Sequence, residues 1–338
     1  MRAQAKKDRF RAVLCLSAIL FFFGGGMILM YMWETNRNSD AVPEELEDEE
    51  ELLYYNGAPY REKTDLETVL ILGIDKYALE EEEEGQHQSV QGEYEQSDFL
   101  MLLVFDKKEK TCKAIHINRD TMTEIRELSD AGRNLGTFIG QITLAHAYGG
   151  DGQMRCRNSM RSVENLFYGI DIDHYISISM DGIEALNDIA GGVTVTVMDD
   201  FSGINENLVQ GEEVTLYGQD ALTYIRVRYG LEDSSNAHRM ERQYQYLSAL
   251  QEKLINCVEQ DEEFISKALV EVNPYLVSDC TVEQLSDLSK TMEECGGVQE
   301  YLKLEGDSFL NEDNFVEFHA DEDALLKLVV ETFYERTE

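Results

Sequence analysis

The sequence predicts an α/β fold in which helices flank a mixed central sheet, placed behind one N-terminal transmembrane helix. Short apolar or alternating segments, typical of strands, recur between segments with helical periodicity. The chain has 338 residues, 43% of them apolar, and only 3 prolines. It can therefore bury a sizeable core, and no proline-rich break divides it. We expect one α/β domain without internal repeats.

The N-terminus predicts a membrane anchor. Residues 1–11 are rich in lysine and arginine, and residues 12–33 carry no charge. An apolar segment of this length can span a bilayer as a helix, and its basic side should stay in the cytoplasm. The alternative, a cleaved signal peptide, usually has a shorter apolar region. We expect a single-pass protein of the cell membrane whose remaining residues lie outside the cytoplasm; the family resemblance described below implies a Gram-positive cell.

The chain is strongly acidic, with a formal net charge of -38. This charge argues against nucleic acid as a partner, because every phosphate contact would be made against the protein's own field. An anionic ligand would have to be held by local cations or by a metal. Residues 34–67 contain a run of acidic side chains, so we expect an extended linker there. The folded domain is then predicted over residues 68–338.

Three apolar strands are predicted at the start of this domain. They cover residues 69–73, 99–105 and 112–117, and the last two form a hairpin. Residues 80–96 are rich in Glu, Gln and Gly and predict a flexible loop.

The second half of the domain alternates strands with helices. Strands are predicted over 175–179 and 193–197, and residues 136–150 predict a helix or a loop. Helices are predicted over 158–168, Met180–Ile189, Gly218–Arg226, 237–260, 282–294 and 321–334.

Arginines gather in one short stretch of this acidic chain. Within seventeen residues stand Arg226, Arg228, Arg239 and Arg242. The guanidinium fork matches phosphate oxygens two at a time. Asn236 is a suitable N-cap, which places Arg239 in a first turn where the helix dipole favours anions, with Gln243 on the same face. The alternative is a surface helix whose arginines pair with nearby carboxylates.

Acidic side chains flank the first strands. We expect Asp75, Asp98, Arg119 and Asp120 to lie at strand ends or in adjoining loops, where a rigid sheet can present a site. Two carboxylates at one sheet edge suit Mg²⁺, which takes one or two carboxylates and completes its shell with water and phosphate oxygens. The alternative is a pair of solvated aspartates. Together with the arginines, the carboxylates predict a pyrophosphate site.

Six segments in order resemble the LytR-CpsA-Psr family. They read GIDKY from residue 73, SDFLMLLVFD from 97, INRDTMTEI from 117, LAHAYGG from 144, the stretch 163–197, and GQDALTYIRVR with HRMERQ within 218–243. The resemblance covers residues 69 to about 254, and more loosely the C-terminus.

The resemblance implies a membrane-anchored, Mg²⁺-dependent phosphotransferase of the bacterial cell envelope. Such proteins move a glycopolymer, such as teichoic acid or capsule, from a polyprenyl-pyrophosphate carrier to peptidoglycan. They have an α/β sandwich with a hydrophobic pocket for the prenyl chain. On the family pattern Asp75 and Asp98 hold Mg²⁺. The pyrophosphate contacts fall on Arg119, Arg226, Arg228, Arg239 and Gln243.

Three positions depart from the family pattern. Asn118 stands where proline is usual, Phe99 where threonine is common, and Tyr77 where arginine is frequent. The change at Tyr77 removes a possible charge contact near the metal, whereas the other two look tolerable.

The implied mechanism needs a proton acceptor for an attacking sugar hydroxyl. Asp120, Asp98 and Asp233 are candidates, and Asp120 is equally a structural partner for Arg119. We assign no role to His116, His146 or His238, because lone histidines are more often packed than catalytic. Two other functions remain open: a polyprenyl-pyrophosphate phosphatase with water as the acceptor, and a non-enzymatic module that binds lipid carriers and regulates envelope assembly.

Overall fold

The structure, a computed structural model, describes residues 52–77, 94–227, 230–233, 235–261, 264–312 and 315–337. The predicted cytoplasmic tail and membrane span, residues 1–33, lie outside this part of the chain. Among the residues that the structure does describe, no helix is both long and apolar enough to cross a membrane. The predicted loop over 80–96 is described only from residue 94, where a strand begins.

The described residues form strands in both halves of the chain. Their bounds are β1 Leu53–Tyr55, β2 Ala58–Glu62, β3 Leu66–Tyr77, β4 Tyr94–Asp106, β5 Thr111–Ile117, β6 Met122–Leu128, β7 Asn134–Gln141, β8 His174–Ser179, β9 Val193–Thr196, β10 Glu213–Leu216, β11 Leu276–Ser278, β12 Glu300–Lys303, β13 Gly306–Leu310, β14 Val316–Ala320 and β15 Tyr334–Arg336.

Helices separate the strands. Their bounds are α1 Gly152–Leu166, α2 Met180–Ile189, α3 Gly218–Arg226, α4 Asn236–Gln260, α5 Phe264–Val272, α6 Val282–Cys295 and α7 Glu322–Phe333, with short 3-10 helices over Ile142–Ala147 and Asn273–Tyr275. The predicted bounds of α2 and α3 are confirmed. Side chains start several of these helices as N-caps; Ser179, Asp151 and Asp321 each accept a hydrogen bond from a first-turn backbone N–H.

A six-stranded mixed sheet forms the centre of the domain, in the order β11-β8-β3-β4-β5-β12. Strand β3 pairs antiparallel with β4 and parallel with β8, while β5 pairs antiparallel with β4 and parallel with β12. Helices lie on both of its faces. The predicted α/β class with a mixed central sheet flanked by helices is therefore confirmed.

Several parts of the chain form strands that the sequence did not predict, among them β6 and β10 to β14. Strands β1, β2 and β15 make a small sheet, so regular structure is already present at residues 53–62, ahead of the predicted start at residue 68. The predicted linker over 34–67 is wrong for its last part, because these strands pair with the C-terminal end of the chain. Residues 136–141, predicted as the start of a helix or loop, belong to β7, which pairs with β6 as a hairpin.

One face of the central sheet is closed by α1 and α7. Alternate residues of β3 and β4, including Leu70, Leu72, Leu100 and Leu102, are fully buried against these helices. The period of two along each strand sends the intervening residues to the opposite face. There Val69 and Leu103 pack against α6. We call the first face the closed face and the second the open face.

Candidate functional site

An irregularity between β3 and β4 creates the site. Gly73 of β3 pairs with Phe99 of β4, and the next residue, Ile74, pairs with Ser97. Asp98 is therefore the extra residue of a β-bulge, a feature that re-aims side chains near functional sites. Asp75 lies in β3 beside it, paired with Gln96. Both aspartates thus lie inside strands, and the expectation that they follow strand ends is wrong.

Three arginines surround these two aspartates. Arg226, at the end of α3, places Nε 2.7 Å from Asp75 Oδ2. Arg119 Nη1 lies 2.5 Å from Asp98 Oδ1, and Arg239 Nη1 lies 3.4 Å from Asp98 Oδ2. The carboxylates are 4% and 5% exposed, so these charges are desolvated and paired. Five of the predicted site residues therefore converge on one place.

Arg119 is fixed by further contacts. Its Nη2 donates to Gln96 Oε1 at 2.7 Å, and its Nε lies 3.6 Å from Asp120 Oδ1. Asp120 is 1% exposed and its Oδ1 also accepts from Gln141 Nε2. The carboxylate of Asp120 therefore faces protein groups and orients Arg119. Sequence reasoning missed Gln96, which it placed in a flexible loop.

The first turn of α4 carries Arg239 into the site. The N-cap is Ser235, whose Oγ accepts from the backbone N–H of His238, and Asn236 is the first helical residue. The predicted N-cap at Asn236 is therefore wrong by one residue. Arg239 still occupies the first turn, where backbone N–H groups and the helix dipole favour a negative ligand.

Asn236 instead belongs to a chain of buried amides. Arg239 Nη2 donates to Asn236 Oδ1 at 2.5 Å, and Asn236 Nδ2 donates to Asn118 Oδ1 at 2.5 Å. Asn118 Oδ1 also accepts from the backbone N–H of Asp120 at 2.9 Å. Sequence reasoning noticed both asparagines but gave neither a part in the site. The pairing spans 118 residues of sequence, so no local pattern could reveal it.

Arg242 does not join the cluster, although it follows Arg239 in the same helix. Its Nη1 lies 2.5 Å from Asp199 Oδ2, Nη2 donates to the Val227 carbonyl, and the guanidinium lies over the Phe201 ring. Asp199 Oδ1 lies 2.6 Å from His238 Nε2. Arg242 therefore pairs with a carboxylate, but the pair is buried and Asp199 is 43 residues away, so neither the phosphate reading nor the surface-helix reading describes it.

An apolar pocket opens beside the cluster, between the open face of the sheet and helices α2 to α4. Its empty volume is about 1240 Å³, including the part open to solvent. The sheet contributes Ile71, Gly73, Phe99, Met101 and Leu103, and the helices contribute Ile183, Leu186, Ile225, Tyr244, Leu247 and Leu250. Tyr301, close to Tyr244 in an edge-to-face pair, borders the pocket at β12. These walls suit a long apolar ligand.

The pocket and the charged cluster share a boundary. Ile71, Gly73 and Asp75 alternate along β3 and so lie on the same face of that strand. A Cβ at residue 73 would lie 2.9 Å from the Phe99 Cβ, so only glycine fits there. Gln243 lines the pocket too, and its Nε2 donates to the Ile225 carbonyl at 3.3 Å. The charged groups thus stand at one end of an apolar cavity.

The remaining predicted residues lie apart from the cluster or outside the description. Arg228 lies outside the described residues, and so does the side chain of Tyr77. Asp233 is exposed, and hydrogen bonds from Ser235 lower its pKa. Burial, with a smaller effect from a nearby arginine in each case, lowers the pKa of His116 to about 4 and of His146 to about 3. Both imidazoles are neutral near pH 7, as packed side chains.

The carboxylates also suit a divalent cation. Asp75 and Asp98 offer hard oxygen ligands on adjacent strands, and two carboxylates with added phosphate oxygens and water match the needs of Mg²⁺. In the described residues, Asp75, Asp98 and Asp120 face three guanidiniums, so the cluster is balanced before any ligand binds. A diphosphate would add negative charge that a cation can offset.

Comparison with known proteins places these features in a family context. A sequence model of the LytR_cpsA_psr family matches residues 29–331. Polyisoprenyl-teichoic acid–peptidoglycan teichoic acid transferase TagU of Halalkalibacterium halodurans is 37% identical over 155 residues, which are 46% of this chain and 46%, about half, of that relative. The protein of the same name in Enterococcus faecalis is 25% identical over 311 residues, 90% of each chain.

A solved structure shares the fold. The crystal structure of TagV from Bacillus subtilis aligns with a TM-score of 0.55 and 24% sequence identity, covering 80% of this chain and 98% of that one. The likeness extends over the central sheet and the helices on both faces.

Proposed function

On the premise that this chain belongs to the LytR-CpsA-Psr family, we propose that it transfers an anionic glycopolymer from a polyprenyl-pyrophosphate carrier to peptidoglycan. The observation that carries this proposal is the ring of Arg119, Arg226 and Arg239 around two buried carboxylates at the end of an apolar pocket. The relatives are named as teichoic acid transferases, which agrees with a polymer of this kind.

The arginines would bind the pyrophosphate. Arg226 is the most accessible of them, with 33% of its side chain exposed, whereas Arg119 and Arg239 are 10% and 4% exposed. An incoming diphosphate would therefore meet Arg226 first and exchange carboxylate partners for phosphate oxygens. Guanidiniums held by buried carboxylates are already oriented, so little reorganisation is needed when charge develops in the reaction. Arg228 and Gln243 belong to the same proposed set.

The apolar pocket would hold the prenyl chain. Its walls are almost entirely hydrocarbon, and burying a prenyl unit there removes apolar surface from water. The pocket residues Gly73, Phe99 and Gln243 lie beside the charged cluster. A ligand with a hydrocarbon chain and an anionic head group therefore fits across this boundary.

Asp75 and Asp98 would hold Mg²⁺ together with phosphate oxygens. When bound, the ion would neutralise charge on the phosphate oxygens and on the departing polyprenyl phosphate. The chain's own part is to present both carboxylates from a rigid bulge and to balance them with arginines.

Transfer would proceed by attack of a wall-sugar hydroxyl on the phosphorus that carries the glycopolymer. The new P–O bond forms as the bond to polyprenyl phosphate breaks, and the hydroxyl proton passes to a carboxylate. Asp120 faces Gln141, and Asp233 is exposed with a lowered pKa. Asp98 is the remaining candidate acceptor, and its Oδ2 makes the longer of the two arginine contacts, 3.4 Å to Arg239 Nη1. Most of the rate enhancement would come from positioning and charge.

The proposed setting is the outer surface of the cell membrane. The apolar segment 12–33, with its basic N-terminal flank, would anchor the chain as a single-pass protein. A lipid-linked donor and a wall acceptor would then both be within reach of the domain.

Reconstitution tests the proposal. The full chain in vesicles is supplied with a defined polyprenyl-pyrophosphate glycan, peptidoglycan fragments and Mg²⁺. We expect a product in which glycan and peptidoglycan are joined through one phosphate. Release of free glycan phosphate with no joined product would instead identify a phosphatase. Binding of the lipid without any turnover would identify a carrier-binding regulator.

The metal assignment has a test that does not need turnover. We expect Mg²⁺ to strengthen the binding of inorganic pyrophosphate to the wild-type domain, measured by calorimetry. In the Asp75→Asn variant this strengthening should disappear while metal-free binding persists. An equal effect of Mg²⁺ on both proteins would remove Asp75 from the proposed site.

A further inference from the structure

Two buried asparagines connect the two elements that supply the site's most buried arginines. Asn118 is the residue after β5 and directly precedes Arg119. Asn236 is the first residue of helix α4 and stands three residues before Arg239. Asn118 is 7% exposed and Asn236 is 4% exposed. Their side chains meet at 2.5 Å, although they are 118 residues apart in the sequence.

The donors and acceptors fix the direction of each hydrogen bond that links Asp120, Asn118, Asn236 and Arg239. The backbone N–H of Asp120 and the Asn236 amide both donate to Asn118 Oδ1, and Arg239 Nη2 donates to Asn236 Oδ1. An amide side chain can accept from a guanidinium at its oxygen and donate to a second oxygen from its nitrogen at the same time. The Asn236 amide does both, and Asn118 supplies the oxygen that accepts from it.

We propose that Asn118 and Asn236 are positioning residues that set Arg239 relative to Arg119 for pyrophosphate binding. The amide chain leaves Arg239 Nη1 directed at Asp98, the carboxylate that Arg119 also contacts. Asn236 thus holds Arg239 Nη2, whereas Arg239 Nη1 faces Asp98. The proposal rests on the proposed function, because it assumes that these arginines bind a diphosphate.

A structural role alone would give a different result from a positioning role. Structural asparagines stabilise the fold, so their loss lowers stability and leaves ligand affinity in the folded protein unchanged. Asparagines that position Arg239 act on the ligand through that side chain, so replacing them lowers ligand affinity. The size of this decrease in affinity depends on which side chain stands at residue 239. The Arg239–Asn236 and Asn236–Asn118 hydrogen bonds follow one another, so breaking one already disconnects Arg239 from Asn118. Replacing both asparagines should therefore lower pyrophosphate affinity no more than replacing one.

The test measures the affinity of the purified full chain, in detergent, for inorganic pyrophosphate with Mg²⁺. The variants are Asn118→Ala, Asn236→Ala and the double variant. Loss of a hydrogen bond to a charged group predicts about tenfold weaker binding for each single variant. The double variant should bind about as weakly as the weaker single one. In an Arg239→Lys background, Asn236→Ala should have no further effect.

Two controls separate this result from general damage. Asn158, a buried asparagine of α1, donates to the carbonyls of Arg126 and Ala145. Asn158→Ala should lower the midpoint of thermal unfolding and leave pyrophosphate affinity unchanged. Asn118→Asp keeps the acceptor oxygen and should restore part of the affinity lost in Asn118→Ala.

Three outcomes would overturn the proposal. They are unchanged affinity in folded single variants, additive losses in the double variant, and a full further loss from Asn236→Ala in the Arg239→Lys background. The readout is also independent of the proposed reaction. Wild-type protein that binds pyrophosphate and fails to join glycan to peptidoglycan would contradict the transferase proposal and leave this test intact.

Discussion

The two faces of the central sheet are built from the same strands and serve different purposes. On the closed face, Leu70, Leu100 and Leu102 are fully buried against α1 and α7. On the open face, the neighbouring residues Ile71 and Met101 border an apolar pocket that ends at charged side chains. One residue step along β3 or β4 thus moves from close packing to empty space.

This difference indicates how the fold separates stability from function. Close-packed apolar contacts on one face supply the free energy of folding. The open face is also packed where it meets α6, but its pocket and its paired buried charges are costly, and the packed regions on both faces offset that cost. Substitutions on the closed face should therefore lower the free energy of unfolding, and substitutions at the charged cluster and pocket of the open face should lower activity.

The largest effect is expected from Arg119→Ala at the rim of the open face. Removing a guanidinium that stabilises developing phosphate charge should lower turnover about 10³-fold, or about 4 kcal/mol of barrier. In this variant the Asp98 carboxylate keeps its ion pair with Arg239, so the midpoint of thermal unfolding should change little. Both quantities are measured, turnover in the reconstituted transfer assay.

Arg61→Ala is the matched control, since Arg61 pairs with Glu335 on the surface and about half of its side chain is exposed. It should leave turnover and unfolding unchanged. Near-normal turnover in Arg119→Ala would contradict the proposed role of the open face.

A second prediction sharpens the comparison, because buried charge alone does not mark a functional group. Arg242→Ala leaves the Asp199 carboxylate buried without its guanidinium and removes the contact with Phe201. We expect a loss of about 3 kcal/mol in the free energy of unfolding, measured with urea. Pyrophosphate affinity of the remaining folded protein should stay within about twofold of wild type.

Arg239→Ala, one turn away, should show the reverse pattern of weaker pyrophosphate binding with a smaller loss of stability. Replacing Arg242 and Asp199 together by Met and Leu should recover most of the stability. If Arg242→Ala abolished pyrophosphate binding in folded protein, the distinction between these two arginines would fail.

Much of this fold could be predicted from local sequence. The helices Met180–Ile189 and Gly218–Arg226 follow from apolar periodicity and flanking glycines, and both have the predicted bounds. The apolar strands were found as well, although β3 and β4 are longer than predicted. Most of their extra residues are polar, and they adopt strand structure because they pair with the neighbouring strand.

The features that local sequence could not reveal depend on distant partners. The bulge at Asp98 is a property of the β3–β4 register. Arg242 resembles Arg239 in sequence, and only Asp199, 43 residues away, makes it a buried structural residue. The strands β1 and β2 sit next to an acidic run and form because β15 pairs with β2. The convergence of the site was predicted because the family resemblance, rather than periodicity, carries long-range information.

A third prediction compares neighbouring residues on the two faces of β4. Leu102→Ala should lose about 3 kcal/mol of unfolding free energy, because it opens a cavity in the closed face. Met101→Ala should lose about 1 kcal/mol or less, since its side chain already borders empty space. Urea unfolding of both variants measures the difference. Equal losses would mean that the pocket is closed in solution.

The smallest effect concerns pH and His146 of the 3-10 helix Ile142–Ala147, which is 2% exposed and lies 3.3 Å from Ser159 Oγ of α1. Burial, with a smaller contribution from Arg155, lowers its pKa to about 3. The unfolded value is about 6.5, so between these pH values only the unfolded chain takes up the proton. Stability should therefore be unaffected above pH 6.5 and should fall as the pH is lowered, by about 2 kcal/mol at pH 5.

Urea unfolding at pH 7.5 and pH 5 tests this prediction in the His146→Gln variant. The variant should be less stable than wild type at pH 7.5, because it loses packing, but its stability should fall by about 2 kcal/mol less between the two pH values. Ser159→Ala is the matched control, since it removes the hydroxyl and keeps the buried imidazole, so its pH dependence should match that of wild type. If His146→Gln kept the full pH dependence, groups other than His146 would take up the protons that destabilise the fold at low pH.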